Sequence, residues 1–186
     1  MIVLGLTGPI GAGKDAVSDY LEEKYGFKTF SCGDVIRRIA RERGIEPNRE
    51  NLQKLGKDCR REEGNGFLGK NAAEMAKKSS SERIAVNGIR SPEEVDELED
   101  RLGKSFFLIY VKAEDYLRFN RLSQRGRTGD PETSGEFEKQ DKNDREKFRM
   151  EETFSRADIE LNNNGTLGDL HRKIDGLVSE TIPGKT

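Results

Sequence analysis

Short apolar runs alternate with longer amphipathic stretches along the chain. The apolar runs predict buried strands over residues 2–6, 27–30, 83–86, 106–111 and 159–161. Apolar residues at helical spacing predict helices over residues 14–24, 34–43, 50–62, 71–78, 92–101, 114–125, 136–152 and 167–179. Strands that alternate with helices are typical of a parallel sheet covered on both faces. We therefore predict a three-layer α/β fold with a parallel five-stranded sheet.

Two segments carry further local signals. Ser91-Pro92-Glu93-Glu94 has the form of a capping box with proline at the first helical position, which predicts a helix start. Residues 106–111, with the sequence FFLIYV, are the most apolar run of the chain. Since a strand covered on both faces is apolar throughout, this run predicts the central strand.

Composition and charge exclude several classes of protein. The chain has 186 residues, and 33 Lys and Arg against 35 Asp and Glu give a net charge of -2, which argues against a nucleic-acid protein held by bulk electrostatics. No apolar run approaches the roughly 20 residues of a membrane span, and the first one lacks the features of a secretory signal. Cys32 and Cys59 have no paired spacing, which indicates reduced thiols in a cytoplasmic protein. With His171 the single histidine, any chemistry must depend on Lys, Arg, Asp and backbone amides.

A glycine-rich segment links the first predicted strand to the first predicted helix. Residues 8–15, GPIGAGKD, fit the phosphate-loop pattern G-x-x-x-x-G-K. The glycines permit a turn whose N–H groups point at a polyphosphate, and the helix N-terminus adds partial positive charge. Lys14 can reach the β- and γ-phosphates and is predicted to be catalytic. The residues predicted to bind ATP here are Gly8, Gly11, Ala12, Gly13, Lys14, Asp15 and Ala16.

Asp15 occupies the position at which Ser or Thr usually binds Mg²⁺. The third predicted strand is followed by Asn87 and not by the usual acidic residue. We hypothesise that Asp15 supplies the charge for Mg²⁺, directly or through water, and that Asn87 orients a water. The alternative is that Asp15 only favours the first helical turn electrostatically.

Two arginines follow predicted strands. Gly33 and Asp34 precede Arg37 after the second strand, and Asn87 precedes Arg90 after the third. Because ligands bind beyond the carboxyl ends of parallel strands, these residues would face the same crevice as the phosphate loop and could hold an acceptor phosphate. Asp34 is the candidate for orienting or deprotonating an acceptor hydroxyl, and it takes a structural role if the acceptor is a nucleoside monophosphate. Each arginine by itself could also be an ordinary surface residue.

A third group of arginines precedes a Gly/Pro-rich loop at residues 126–135. Arg118, Arg121 and Arg125 share one helical face, and Arg127 follows in the loop. This pattern predicts a lid over residues 122–150, in which Arg121, Arg125 and Arg127 close over a transferring phosphoryl group. The alternative is a helix face with ordinary surface charge.

These motifs, in this order, resemble nucleoside monophosphate kinases of the P-loop class. Residues 31–37 resemble the adenylate kinase segment that holds the acceptor phosphate. Residues 87–90 resemble the Asp-Gly-x-x-Arg segment of that family, with Asn in place of Asp and the arginine one residue nearer. The end of the chain resembles dephospho-CoA kinase, in which an Asn-x-Gly turn lies against the adenine of ATP, and this implies the same role for Asn163 and Gly165.

The chain as a whole most closely resembles an archaeal group of small, uncharacterised P-loop proteins related to dephospho-CoA kinase and adenylate kinase. The shared segments are residues 33–37, 88–91 and 125–133. The Gly-Lys-Asp of the phosphate loop also resembles viral and bacterial deoxynucleoside monophosphate kinases. The resemblance implies a single kinase domain over residues 1–186, with an acceptor-binding helical insert at 34–78 and the lid at 122–150.

The expected reaction is transfer of the γ-phosphoryl group from ATP·Mg²⁺ to a nucleotide-like acceptor. A nucleoside monophosphate, a deoxynucleoside monophosphate and dephospho-CoA are all open as acceptors. The rival prediction is a regulatory or assembly ATPase that acts on a protein partner. A nucleic-acid-associated ATPase is disfavoured by the nearly balanced charge.

Overall fold

The computed structural model describes residues 1–127 and 129–181. These residues form one parallel sheet with the strand order β2-β3-β1-β4-β5. The strands are β1 (Ile2–Thr7), β2 (Lys28–Ser31), β3 (Arg83–Ile89), β4 (Phe106–Lys112) and β5 (Ile159–Asn162). The predicted parallel five-stranded sheet is confirmed. Position 128 of the predicted lid and positions 182–186 of the predicted domain lie outside the described residues.

Helices cover both faces of the sheet, as predicted. Their bounds are α1 (Lys14–Tyr25), α2 (Cys32–Glu42), α3 (Arg49–Glu63), α4 (Phe67–Lys78), α5 (Pro92–Leu102), α6 (Asp115–Arg125), α7 (Ser134–Phe148), α8 (Met150–Ser155) and α9 (Leu167–Thr181). The predicted capping box is confirmed at the start of α5, where the Ser91 hydroxyl accepts from the Glu94 N–H and the Glu94 carboxylate accepts in return. Of the described helices, none combines the length and the apolar character needed to cross a bilayer.

The core consists of two layers separated by the sheet. Side chains alternate between the faces along β1, so Val3 packs on one side while Leu4 and Leu6 pack on the other. The Val3 side is covered by α2, α3, α4 and α5, and the Leu4 side by α1 and α9. The loops that follow β1, β2 and β3 therefore open at one edge of the sheet, where its strands end.

The central position of the sheet belongs to β1 and not to the more apolar β4. Gly5 allows its neighbours to approach β1, because a Cβ there would lie 2.6 Å from Ile89 Cδ1 and 2.6 Å from a ring carbon of Phe106. The strand β4 lies between β1 and β5 and has buried side chains on both faces. The apolar content of residues 106–111 thus predicts a buried strand correctly, but it does not predict the position of that strand in the sheet.

The helix predicted over residues 136–152 is in fact two helices. Arg149 ends α7 in a left-handed conformation with φ of 50°, and α8 begins at the next residue. The break brings Phe148, Met150 and Phe154 into one buried cluster against Tyr110. A continuous helix could not gather these side chains on one side, so tertiary packing overrides the helical pattern. Another difference is that α4 begins at Phe67, four residues before the predicted start.

Candidate active site

The phosphate loop, residues 8–13, runs from the buried end of β1 into the N-terminus of α1. Gly8, Gly11 and Gly13 have φ values of 145°, 78° and 98°, a region that other residues rarely adopt. The N–H of Val17 donates to the Gly13 carbonyl at 3.2 Å, so α1 starts directly from the loop. The loop backbone therefore has the left-handed glycines that a phosphate cradle requires.

Neighbouring elements pack closely against the phosphate loop. A Cβ at Gly8 would lie 2.3 Å from the Val111 carbonyl oxygen, and one at Gly11 would lie 2.7 Å from that of Arg118. A Cβ at Gly13 would lie 2.3 Å from the Asn163 side-chain nitrogen. Glycine is thus required at these positions for two reasons: neighbouring atoms leave no room for a Cβ, and the backbone has a positive φ.

Lys14 lies across the phosphate loop. Its ammonium group donates to the carbonyl oxygens of Gly8 at 2.7 Å and Pro9 at 2.9 Å. Burial, and after it the positive charge of Arg90, lower the pKa of Lys14 from 10.5 to about 7. An anion bound in the loop would favour the charged form of this amine.

Asp15 and Asn87 meet beside the loop, as the metal hypothesis requires. The Asn87 amide donates to Asp15 Oδ1 at 2.9 Å, and Arg127 Nη1 lies 3.4 Å from Asp15 Oδ2. Among the described residues no group of three or more His, Cys, Asp or Glu side chains could hold a metal. Mg²⁺ in nucleotide enzymes is commonly bound by one or two carboxylates together with phosphates and waters. The exposed Asp15 carboxylate, with the Asn87 amide next to it, fits such a site.

A cleft of about 170 Å³ lies at the ends of β2 and β3 and beside α1. We call it the strand-end cleft, and its polar lining consists of Asp15, Ser18, Asp19, Thr29, Ser31, Asp34 and Asn87. Two predicted acceptor residues, Asp34 and Asn87, therefore lie in the same cleft as the predicted metal ligand Asp15. Gly33 lies in the first turn of α2, where an added Cβ would be 3.4 Å from the Arg37 guanidinium.

Asp34 organises the start of α2. Its carboxylate accepts from the Ser31 N–H at 2.7 Å and from Arg37 at 2.8 Å, which forms a capping box and an exposed ion pair. Burial raises its pKa, but the hydrogen bonds from Ser31 and Arg37 outweigh burial and hold the pKa below its ordinary value. A carboxylate with a lowered pKa is a weak proton acceptor. The geometry therefore favours the structural role that we expected for Asp34 with a phosphate acceptor.

Arg90 lies between the phosphate loop and α7. Its guanidinium carbon is 5.3 Å from the centre of the Phe148 ring, and Nη1 is 3.8 Å from Asp144 Oδ2. The Arg90 backbone N–H donates to the buried Glu94 carboxylate at 2.8 Å. The capping box of α5 thus fixes the backbone of Arg90, while its side chain adds positive charge near Lys14.

The three predicted lid arginines have different surroundings. Arg127 contacts Asp15, and Arg125 forms two hydrogen bonds with Asp130 at 2.9 and 2.5 Å. Arg121 donates through Nη2 to the Asn163 carbonyl at 2.8 Å, and within the described part of the chain its buried Nη1 has no hydrogen-bond partner. Of the three, Arg127 is the one that contacts the first turn of α1, directly after the phosphate loop.

Arg118 does not belong with those three arginines, although the helical spacing groups them. It is fully buried and donates to both Asp141 oxygens at 2.7 and 2.9 Å, to Asp115 at 2.7 Å and to the Ile10 carbonyl at 2.9 Å. Arg118 therefore links α6, α7 and the phosphate loop internally. Sequence reasoning assigned no chemistry to Asp141, and its polar neighbours Gln140 and Lys142 gave no signal for this ion pair.

The turn after β5 reaches the phosphate loop from the far end of the chain. The buried Asn163 amide donates to the Ala12 carbonyl at 2.8 Å. Its side chain thus supports the loop, and the adenine contact predicted for this turn stays a prediction. Gly165 lies next to Asp169, whose Oδ2 would be 2.7 Å from an added Cβ. Ala16 lies half-buried in the first turn of α1.

The chain is similar to known proteins along nearly all of its length. The family described as "AAA domain" matches residues 7–138. A UPF0200 protein of Pyrobaculum aerophilum is 34% identical over 96% of this chain and 97% of its own length.

Solved kinases share the fold at low sequence identity. A shikimate kinase from Acinetobacter baumannii, solved with shikimate, has a TM-score of 0.61 at 17% identity and covers 99% of this chain and 96% of its own. A gluconokinase from Sinorhizobium meliloti has a TM-score of 0.55 at 14% identity and covers 97% of this chain and 93% of its own. The phosphate-loop geometry and these similarities lead to one conclusion: the chain belongs to the UPF0200 family of P-loop proteins, with a kinase-like fold and an AAA-domain match.

Proposed function

We propose that this protein is an ATP- and Mg²⁺-dependent phosphotransferase that moves the γ-phosphoryl group to a nucleotide-like acceptor. The acceptor is a nucleoside monophosphate, a deoxynucleoside monophosphate or dephospho-CoA. The observation that carries the proposal is the strand-end cleft, in which Asp15, Asn87 and Asp34 line one space beside the phosphate loop. A nucleotide on the loop and an acceptor in this cleft would be adjacent.

The donor side of the proposal depends on the phosphate loop. Its backbone amides and the N-terminus of α1 would bind the phosphates of ATP, with Lys14 neutralising the transferred group. Asn163 would stabilise the loop through its hydrogen bond to the Ala12 carbonyl. When bound, Mg²⁺ would supply positive charge at the β- and γ-phosphates. Asp15 would hold it, and Asn87 would orient the carboxylate or a water.

The acceptor side depends on the arginines at the strand ends. Arg37 and Arg90 would bind the anionic group of the acceptor, with Asp34 positioning Arg37 through their 2.8 Å contact. The lowered pKa of Asp34 supports an acceptor that needs no general base, because a phosphate is already anionic at neutral pH. Arg121, Arg125 and Arg127 would close over the transferring group, and such catalysis consists mainly of positioning and charge neutralisation.

The test is an acceptor panel. Purified protein is incubated with ATP and Mg²⁺ and with AMP, CMP, GMP, UMP, their deoxy forms or dephospho-CoA, while ADP release and product mass are followed. We expect ADP formation to depend on one acceptor class and one phosphorylated product to appear. The Lys14→Met variant is the negative control. Slow ADP release that is indifferent to every acceptor would contradict the proposal and favour the regulatory ATPase.

A further inference from the structure

A second and larger cavity, of about 330 Å³, lies outside the residues assigned above. It is enclosed by α3, by the start of α5 and by the end of α7. We call it the basic cavity, after its cationic residues Lys57, Arg60, Arg61, Lys147 and Arg149. Glu93 is the one carboxylate among the residues that line it.

The positive charge of the basic cavity is only partly neutralised. Arg149 is paired with Glu93, and Arg61 lies 3.0 Å from Asp58. In contrast, neither Lys57 nor Lys147 has a carboxylate within ion-pair distance in the part of the chain that the structure describes.

Arg60 also lines the cavity, and its guanidinium contacts the buried carboxylate of Glu94. Its Nη2 is 3.5 Å from Glu94, whose other oxygen already accepts from the Arg90 N–H. Glu94 therefore offsets the charge of Arg60, whose buried Nε has no hydrogen-bond partner within the described residues. The excess of positive charge in the cavity comes from Lys57 and Lys147, and a phosphate group would neutralise it.

A buried aromatic ring holds these cations in place. The ring centre of Phe148 is 5.1 Å from the Arg60 guanidinium, 5.0 Å from Lys147 Nζ and 5.3 Å from the Arg90 guanidinium. Cation–π contacts of this kind hold like charges together that would otherwise separate. Phe148 is the last residue of α7 and is itself held in a buried cluster with Met150 and Phe154, so the fold fixes the ring around which these cations gather.

Arg90 connects the basic cavity to the candidate active site. It borders the Phe148 ring on the cavity side, and its charge lowers the pKa of Lys14 on the loop side. Its neighbour Ser91 lines the cavity directly. A ligand whose one end lies at Arg90 can therefore extend into the basic cavity.

We infer that the basic cavity binds an anionic group of the acceptor, a phosphate ester remote from the group that is phosphorylated. This inference rests on the proposed function for the identity of the ligand, but the cavity's affinity for phosphate is testable without it. The acceptor would then carry two anionic groups, one at Arg37 and Arg90 and one among Lys57, Arg60 and Lys147. Of the three proposed classes, only dephospho-CoA has a second phosphate, so the inference selects this class over the monophosphates.

The first experiment measures binding of inorganic pyrophosphate. The protein is saturated with a non-hydrolysable ATP analogue so that the phosphate loop is filled, and pyrophosphate is titrated calorimetrically. The double variant Lys57→Gln/Lys147→Gln removes two unpaired charges and breaks no ion pair, so it should fold. We expect its dissociation constant for pyrophosphate to rise about tenfold or more. The control Lys54→Gln/Lys139→Gln changes two exposed lysines of the same helices outside the cavity and should bind as the wild type does.

The second experiment measures the kinetics with the acceptor that the panel identifies. The double variant should raise KM for that acceptor about tenfold while the KM for ATP stays at the wild-type value. Equal pyrophosphate affinity in the wild type and the double variant overturns the anion site. Loss of pyrophosphate affinity with an unchanged acceptor KM overturns the assignment to the acceptor, since the ligand is then a separate anion. If no acceptor is phosphorylated, the proposed function fails. The pyrophosphate titration still decides whether the basic cavity binds phosphate.

Discussion

At the scale of single residues, Lys14 has an environment that changes its charge. The amine lies against two carbonyl oxygens of its own loop, and its pKa is lowered to about 7 by burial and by Arg90. Because the folded pKa is below the unfolded value of 10.5, the native state binds fewer protons than the unfolded chain between these two values. The contribution of Lys14 to stability therefore increases as the pH rises through this window.

The same shift predicts proton uptake when nucleotide binds. At pH 8 the Lys14 amine is mostly neutral in the free protein, and bound phosphates should raise its pKa and restore the charge. Calorimetry of ADP binding in two buffers of different ionisation enthalpy should therefore show net proton uptake. The uptake should disappear in Lys14→Met and persist in Lys54→Met, an exposed lysine on α3. Absence of uptake in the wild type would mean that Lys14 remains charged in the free protein.

Asp15 is the second residue whose charge we expect to determine ATP turnover. The variant Asp15→Asn keeps the shape and the neighbouring Asn87 but removes the negative charge next to the loop. We expect Mg²⁺-dependent ATP turnover to decrease about 10- to 100-fold, a range typical of disturbed metal sites. Binding of ADP without Mg²⁺ should change far less.

The control for Asp15→Asn is Glu23→Gln, which removes an exposed carboxylate from the same helix. It should leave both turnover and binding at wild-type values. An equal loss of turnover and of Mg²⁺-free binding in Asp15→Asn would argue that the carboxylate supports the loop and not the metal.

At the scale of elements, a buried ion pair joins the helices around the candidate active site. Arg118 on α6 donates to both oxygens of Asp141 on α7 and to the Ile10 carbonyl of the phosphate loop. Arg145 donates to the same Asp141 carboxylate at 2.9 Å. The guanidinium of Arg118 thus ties α7, within the predicted lid segment, to the phosphate loop.

Removing this guanidinium should be strongly destabilising. Arg118→Met leaves the buried Asp141 without its main partner, and breaking a buried pair costs about 3–5 kcal/mol. The free energy of unfolding from urea titration should fall by this amount. Arg172→Met, which removes an exposed pair with Asp169, should cost about 0–1 kcal/mol. A loss below about 1 kcal/mol for Arg118→Met would show that the pair does not hold the helices together.

At the scale of the whole molecule, the phosphate loop follows the central strand of the sheet that separates the two core layers. The strand β1 that leads into it is central and pairs with β3 and β4, while α6 and the turn after β5 pack on the loop itself. A ligand that binds the loop contacts several elements at once, so its binding energy should stabilise the whole fold.

Nucleotide binding should accordingly raise the melting temperature. At a concentration 100 times its dissociation constant, ADP adds about 2.7 kcal/mol, or about 5–10 °C for a domain of this size. Gly13→Ala should lose most of this shift, since the residue has φ of 98° and its Cβ would meet Asn163 at 2.3 Å. Gly44→Ala is the matched control, because Gly44 has φ of 65° with open space around it, and its shift should remain. A full shift in Gly13→Ala would show that the loop tolerates the change.

Much of the fold follows from local sequence patterns. The strand positions and the helix starts depend on residues a few places apart, as at Ser91 and Glu94, whose predicted capping box is confirmed. The glycines of the phosphate loop likewise reveal a turn that few other residues permit. The predicted acceptor residues lie at strand ends for the same reason, although their roles stay predictions. Such features were determined by the sequence alone because their energetics involve neighbouring residues.

The tertiary structure decided the features that depend on distant pairs. Asn163 and Ala12 are 151 residues apart, and no local pattern indicates that this amide holds the phosphate loop. Helical spacing grouped Arg118 with the lid arginines, but burial beside Asp141 separates it from them. The contact between Arg60 on α3 and the Phe148 ring on α7 likewise depends on how these helices pack, and no local pattern indicates it. The burial of a side chain and the charged groups next to it depend on which elements pack together. A side chain therefore acquires this environment only in the folded structure.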